Sequence, residues 1–250
     1  MNAPALVLVH GGMQAADSWD LTVAEIARLA PDLRVLAVDL PGRPRNPVPL
    51  PSVSIAGWVA SVVADVEQAG FDEIVLAGHS LAGVTVPAVV AALGWPRVRE
   101  MILVAAFVPP AGQAVVDAVR GPLARYARWG ARRDKAGAIP WMAARWLLCN
   151  GMSPLQRNFL SSRLCAESAR VIGETVDPVV LPPELVRSWV MTTRDRILPP
   201  RAQRRSIIAI GGVHSIELID ACHQVMVSNP RELAHIFVQR CEQHVGDVRH

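Results

Sequence analysis

The 250-residue sequence predicts a single α/β domain: a mainly parallel sheet flanked by helices, with an inserted helical cap. Three observations carry this. Apolar runs such as Leu6–His10 and Met101–Ala106 show no polar alternation, as expected of strands buried on both faces. Helical patterns alternate with these runs over the first half of the chain, which is the rhythm of a parallel sheet with crossover helices. The rhythm then stops between about Pro109 and Pro183, where no core strand is evident, and resumes afterwards. The predicted organisation is therefore residues 1–109 and 184–250 as the core, with residues 110–183 as a helical insertion.

In chain order, strands are expected at Leu6–His10, Leu33–Asp39, Glu73–Ala77, Met101–Ala106, Arg187–Thr193 and Ser215–Ile219. Core helices are expected at Trp19–Ala30 with Asp17 or Ser18 as N-cap, at Ile55–Ala69 stopped by Gly70, at Leu81–Leu93, at Pro200–Ala209 and at Pro230–His244. The Pro-rich stretch 41–51 reads as a loop. Within the insertion, Val115–Trp129, Pro140–Leu148 and Pro154–Leu164 read as helices.

Composition narrows the function classes. Hydrophobic residues make up 51% and charged residues 19%, enough for a large core and unlike a disordered chain. The formal net charge is only +3, without the clustered basic stripe of a nucleic-acid binder. The densest basic group, Arg125, Arg128, Arg132, Arg133 and Lys135, reads as a solvated helix face. No apolar run approaches the ~18 residues that would suggest a membrane span. The N-terminus lacks the pattern of a secretory signal. Cys149, Cys165, Cys222 and Cys241 are scattered without CxxC spacing and read as free thiols, which places the chain in a reducing cytoplasm. No HExxH, Cys/His ligand cluster, GxGxxG or P-loop is present, so neither a metal nor any other cofactor is expected. A homodimer is compatible with the chain.

The chemistry is concentrated in Val75-Leu76-Ala77-Gly78-His79-Ser80-Leu81-Ala82-Gly83. An apolar strand ends in a small–His–Ser–x–small turn and a helical pattern follows, the layout of a nucleophile elbow. Such a turn requires small residues at 78 and 82 so that strand and helix can approach. The pattern departs from the common form in having Ala82 at the fifth position and the glycine at 83. His79 is expected to point away from Ser80 and to pack.

A serine hydroxyl is a weak nucleophile until a base accepts its proton, and the base needs a third group to orient it. In chain order Ser, acid, His, the candidates are Ser80, Asp195 and His223. Asp195 follows the strand ending at Thr193 and lies 115 residues after Ser80; His223 follows the last strand, 28 residues later. Both sit beyond the carboxyl ends of strands, where ligands of parallel sheets gather. Asp220 is a rival acid and reads as a loop carboxylate. The N–H groups of Leu81 and of Gly12 are the expected oxyanion donors, with Met13 as the neighbouring alternative and Gly11 allowing close approach to substrate. Trp129, Trp141, Met142, Trp146 and Leu147 either line an apolar pocket over Ser80 or pack the cap onto the sheet.

These segments resemble the α/β-hydrolase superfamily. They are most similar to its small cofactor-free branch of plant methylesterases, hydroxynitrile lyases and bacterial carboxylesterases. The resemblance rests on Val9-His10-Gly11-Gly12, Asp39-Leu40-Pro41-Gly42, the elbow, Ala106-Phe107-Val108-Pro109, Asp195-Arg196-Ile197-Leu198-Pro199 and His223-Gln224-Val225-Met226. It implies an α/β-hydrolase fold and a small-molecule ester as substrate. The resembling lyases carry a lysine after the histidine and a threonine in the first loop, where this chain has Gln224 and Gly11. The resembling dehalogenases carry an aspartate in place of Ser80. Ester hydrolysis is the favoured expectation. Carbon–carbon bond hydrolysis, lactone opening, a cofactor-free oxygenase, or a ligand receptor on the same scaffold are the alternatives.

Overall fold

A computed structural model describes residues 3–118 and 141–245. Six strands form one sheet in the order β2-β1-β3-β4-β5-β6, every neighbouring pair parallel. They are β1 (Ala5–Val9), β2 (Val35–Val38), β3 (Ile74–His79), β4 (Val98–Val104), β5 (Val186–Thr192) and β6 (Ser215–Ile219). The core helices are α1 (Asp20–Leu29), α2 (Ile55–Gln68), α3 (Val86–Leu93), α8 (Pro200–Ala209), α9 (Val225–Ser228) and α10 (Pro230–Gln243). Between β4 and β5 lie α4 (Val115–Ala118), α5 (Trp141–Leu148), α6 (Pro154–Ser161) and α7 (Ala169–Gly173). Among the described residues no helix is long and apolar enough to cross a membrane.

Successive side chains of a strand point to opposite faces, and here both faces are covered. Val7, Val9, Leu76 and Leu103 join Trp58, Val62 and Val89 in one apolar cluster. Leu6, Leu8, Val75, Ala77 and Val104 join Ile26, Leu233 and Phe237 in the other. This is why the strands read as unbroken apolar runs. On β6, at the sheet edge, only Ile219 is buried, and Leu218 is 62% exposed.

The chain leaves β1 towards β2 and then returns to the far side of β1 to lay down β3. The strand order thus reverses between β1 and β3, and the crevice beyond their carboxyl ends is where open α/β sheets bind ligands. Residues 10–13 and the turn at Ser80 lie there.

Several expectations are revised by local chemistry. The helix predicted from Leu81 begins as a 3-10 turn (Ser80–Val84), and α3 starts only at Val86. Pro87 explains the break: it has no N–H to give and tolerates only the first turn of an α-helix. The helix predicted from Trp19 likewise opens with a 3-10 turn, Ala16–Trp19, with no side-chain cap from its own sequence. Neither Asp17 nor Ser18 caps it; the Ala16 N–H donates to Asp39 of a distant loop at 2.8 Å. By contrast α2 is capped locally, Ser54 accepting from Gly57 N–H at 3.1 Å, and ends before Gly70 at φ 64°. Helix α7 has no counterpart among the predicted helices. Of the predicted helix 115–129, residues from 119 onward lie outside the described residues, as do Trp129 and the basic group 125–135.

Away from this crevice, a buried polar cluster ties α10 to the sheet. Glu100 on β4 accepts from Ser188 Oγ at 2.5 Å, Arg240 Nε at 2.7 Å and His244 Nε2 at 2.8 Å. Burial alone would raise its pKa, but the bonds from His244, Ser188 and Arg240 outweigh it, and the net shift is downward from 4.5. A carboxyl group with a depressed folded-state pKa contributes stability that is fully present above its unfolded value and lost as pH falls through the folded one. Glu100→Gln is therefore expected to cost about 3 kcal/mol near neutral pH. It should also flatten the loss of stability on acidification below 4.5; urea midpoints measured across that range test both. A second expectation concerns Gly83, where an added Cβ would stand 2.2 Å from the Phe107 carbonyl oxygen. Gly83→Ala should destabilise by about 2–3 kcal/mol, read from the same unfolding curves.

Candidate active site

Ser80 occupies the turn between β3 and the 3-10 segment with φ 51°, a left-handed conformation that a non-glycine residue adopts only when its surroundings enforce it. The enforcement is visible around it. A Cβ at Gly78 would lie 2.5 Å from Val86 Cγ2 and 3.1 Å from Ala82 Cβ. Alanine at 82 is thus accommodated because residue 78 has no side chain. The Phe107 N–H donates to Ser80 O at 2.8 Å, so the chain beyond β4 locks the turn from the other side.

Three side chains that are distant in sequence meet here. His223 Nε2 lies 2.7 Å from Ser80 Oγ, and His223 Nδ1 lies 2.6 Å from Asp195 Oδ2. All three residues are buried, Ser80 retaining 7% exposure. Asp195 Oδ2 also accepts from Thr192 Oγ1 at 3.0 Å, and Oδ1 accepts from Ile197 N at 2.8 Å and Leu198 N at 2.7 Å. A carboxylate surrounded by donors is an acceptor, so the proton of the Asp195 contact sits on His223 Nδ1 and leaves Nε2 free to receive the serine hydrogen. This line of bonds can transfer a proton from Ser80 to His223 while Asp195 holds the ring.

The loop bearing Asp195 is braced by a residue the sequence did not single out. Gln203 on α8 is fully buried. Its Nε2 donates to Thr192 O at 3.0 Å and Leu198 O at 2.9 Å, and its Oε1 accepts from Trp189 Nε1 at 3.1 Å. A glutamine in an amphipathic helix carries no signal of this role, because its partners come from the neighbouring strand and loop. The rival acid Asp220 lies apart, paired with Arg194 at 2.9 Å with 74% of its side chain exposed.

Two further histidines support the site as neutral groups. His79 is buried and donates from Nε2 to the His223 carbonyl at 2.9 Å, so it tethers the backbone of its neighbour as well as packing. Burial and the neighbouring His223 hold its pKa well below the usual imidazole range. His10 donates from Nδ1 to Gly11 O at 2.8 Å and accepts from Leu40 N–H at 3.2 Å. Burial, with help from Arg43, lowers its pKa to about 3.

The first loop approaches the elbow closely. A Cβ on Gly11 would stand 2.7 Å from His79 Nδ1 and 3.0 Å from Ser80 Cβ; one on Gly12 would stand 3.1 Å from Leu81 Cδ2. The Met13 N–H, the alternative donor, is already engaged by Glu167 at 2.9 Å. Gln224 is buried with its side chain bonded to Gln14. On α5 the buried face is Ala144 and Leu148, one turn apart. Trp141, Met142 and Trp146 lie off that face at 38%, 74% and 63% exposure, so they do not pack the helix onto the sheet. Trp146 instead stacks under the Arg196 guanidinium at 4.9 Å. Among the described residues no group of three or more His, Cys, Asp or Glu side chains is placed to hold a metal ion.

A profile of the alpha/beta hydrolase family matches residues 6–236. The chain belongs to the α/β-hydrolase family. Solved structures share the fold at low identity. An extracellular α/β-hydrolase from a Paenibacillus species, described as sharing structural and functional homology with tobacco salicylic acid binding protein 2, superposes with a TM-score of 0.82. It is 21% identical, over 94% of this chain and 98% of its own. The methylesterase MES16 of Arabidopsis superposes at 0.76 with 16% identity, over 96% and 99%. A pyrethroid hydrolase of Sphingobium faniae JZ-2 superposes at 0.75 with 20% identity, over 98% and 99%. No curated protein matches the chain in sequence.

The brace on the Asp195 loop is testable by stability alone. Gln203→Leu leaves the Trp189 indole N–H and two carbonyls without partners, and should cost about 3 kcal/mol in chemical denaturation.

Proposed function

We propose that this α/β-hydrolase is a serine esterase that cleaves a small carboxylic ester through an acyl-enzyme. The observation that carries this reading is the unbroken line from Ser80 Oγ through His223 to Asp195, at 2.7 and 2.6 Å. It lies at the crevice where the strand order reverses. Likeness in fold to structures described as a methylesterase and a pyrethroid hydrolase agrees with it.

In this mechanism Ser80 Oγ attacks the acyl carbon as its proton passes to His223 Nε2. Asp195 stabilises the resulting imidazolium and keeps Nδ1–H pointed at itself. The tetrahedral oxyanion is held by the N–H groups of Leu81 and Gly12. Leu81 N–H belongs to the first turn after the nucleophile, where helical amides lack a partner within the helix. Gly12 is favoured over Met13 because the Met13 amide is occupied by Glu167. Collapse breaks the ester C–O bond, and the alcohol leaves with the proton from Nε2. Water then enters, gives its proton to Nε2, attacks the acyl carbon and releases the acid, returning the hydrogen to Ser80. Gly11 and Met13 form the floor beside the reacting carbonyl, and the segment between β4 and β5 acts as a cap that selects the ester.

Gln224 argues against cyanide release, since no cation follows the histidine and the amide is held by Gln14. The four free cysteines favour a reducing, cytoplasmic setting.

A fluorophosphonate probe is expected to label Ser80 stoichiometrically. Short-chain nitrophenyl esters should be turned over, with turnover abolished in Ser80→Ala and reduced about 10³–10⁴-fold in Asp195→Asn. An unlabelled, inactive but folded protein would refute the reading. Tight ligand binding without turnover would identify a receptor instead.

A further inference from the structure

We propose that Glu167 is a positioning residue that sets the oxyanion loop from the segment between β4 and β5. This rests on the serine-esterase reading. Glu167 lies between α6 and α7, and its side chain is 2% exposed beside a fully buried Arg43. Its Oε2 accepts from Met13 N–H at 2.9 Å and from Arg43 at 2.6 Å, and its Oε1 accepts from Ser168 N–H at 2.8 Å. Arg43 in turn donates from Nε to Gln14 O at 2.6 Å. Two residues before Glu167, the Cys165 N–H donates to Met13 O at 3.0 Å.

Met13 is therefore gripped at both its amide and its carbonyl by one short stretch, residues 165–167. Its φ of 58° shows what the grip maintains. A methionine leaves the left-handed region unless its surroundings hold it there. The peptide so fixed is the next one along from the Gly12 N–H. Gly12 itself is sandwiched, an added Cβ falling 3.1 Å from Leu81 Cδ2 and 3.3 Å from Glu167 Oε2.

The charge arithmetic explains the arginine. A bare carboxylate this close to a developing oxyanion would oppose it, and the opposition is strong where water is excluded. Arg43 neutralises the carboxylate, so the loop receives a hydrogen-bond acceptor without a net negative field. Glu167 touches no reacting atom; it acts through the placement of Gly12.

The test uses two double variants so that no lone charge is left buried. Arg43→Met with Glu167→Gln keeps an acceptor for the Met13 N–H; Arg43→Met with Glu167→Leu removes it. The glutamine variant is expected to exceed the leucine variant in kcat by at least about tenfold, with KM within about twofold. The affinity of a boronic acid that becomes tetrahedral on Ser80 should fall by the same factor in the leucine variant, which is also expected to melt lower because the Met13 and Ser168 N–H groups lose their acceptor. Equal kcat and equal boronate affinity in the two variants, with an active wild type, would overturn the role of Glu167 and leave the esterase reading intact. A wild type with neither turnover nor labelling at Ser80 would remove both. Should either double variant fail to fold, amide exchange in the wild-type protein decides: the Met13 N–H must exchange slowly, and fast exchange there overturns the grip.

Discussion

The close approach of backbone to backbone at the end of β3 is the constraint from which the rest of the site follows. Ser80 is held in a left-handed conformation because the turn has nowhere else to go: Gly78 faces Val86, Gly83 faces the Phe107 carbonyl, and Gly11 faces His79 and Ser80. The strain of one serine is sustained by contacts spread over three strands and the helix that follows. The result is a hydroxyl presented at the sheet's rim with its direction already chosen, so that the imidazole need only be delivered to it.

Delivery is the work of buried polar groups, most of them uncharged. His79 holds the carbonyl of His223, Thr192 and two amides hold Asp195, and Gln203 holds Thr192. His10 ties the first loop to Leu40. Neutral donors and acceptors suit this task. They satisfy buried groups without introducing fields that compete with the charges formed during reaction. The charged exception, Arg43 with Glu167, is internally balanced.

Much of this was legible in the sequence, for reasons that differ by element. The strands could be read because each is buried on both faces, and the elbow because steric demand restricts residues 78 to 83 to a narrow set. Ser80, Asp195 and His223 could be picked out because each follows a strand, in an order that the topology imposes. What escaped was long-range. The cap of the first 3-10 turn is Asp39 rather than Asp17 or Ser18, since hydrogen bonding there depends on a loop that only the fold brings near. The late start of α3 was written in Pro87 but outweighed by the apolar pattern around it. The exposed Met142 and Trp146 show that large apolar residues on a short helix do not reveal which way they point. Glu167 and Arg43, 124 residues apart, gave no sign of each other.

The pairing of β4 with β5 is continuous from Glu100–Val186 to Val104–Val190. The sheet therefore closes across the point where the helical segment departs and returns. Such an arrangement lets the sequence of that segment vary while Ser80, Asp195 and His223 stay where the core puts them. Drift is checked where the segment is bonded to the core, by Gln156 to Val227 and Ser228, by Arg163 to Asp20, by Ser168 to Leu50 and by Glu167 to Arg43. A replacement for it would meet the same partners, and the buried Arg43 among them calls for an acid.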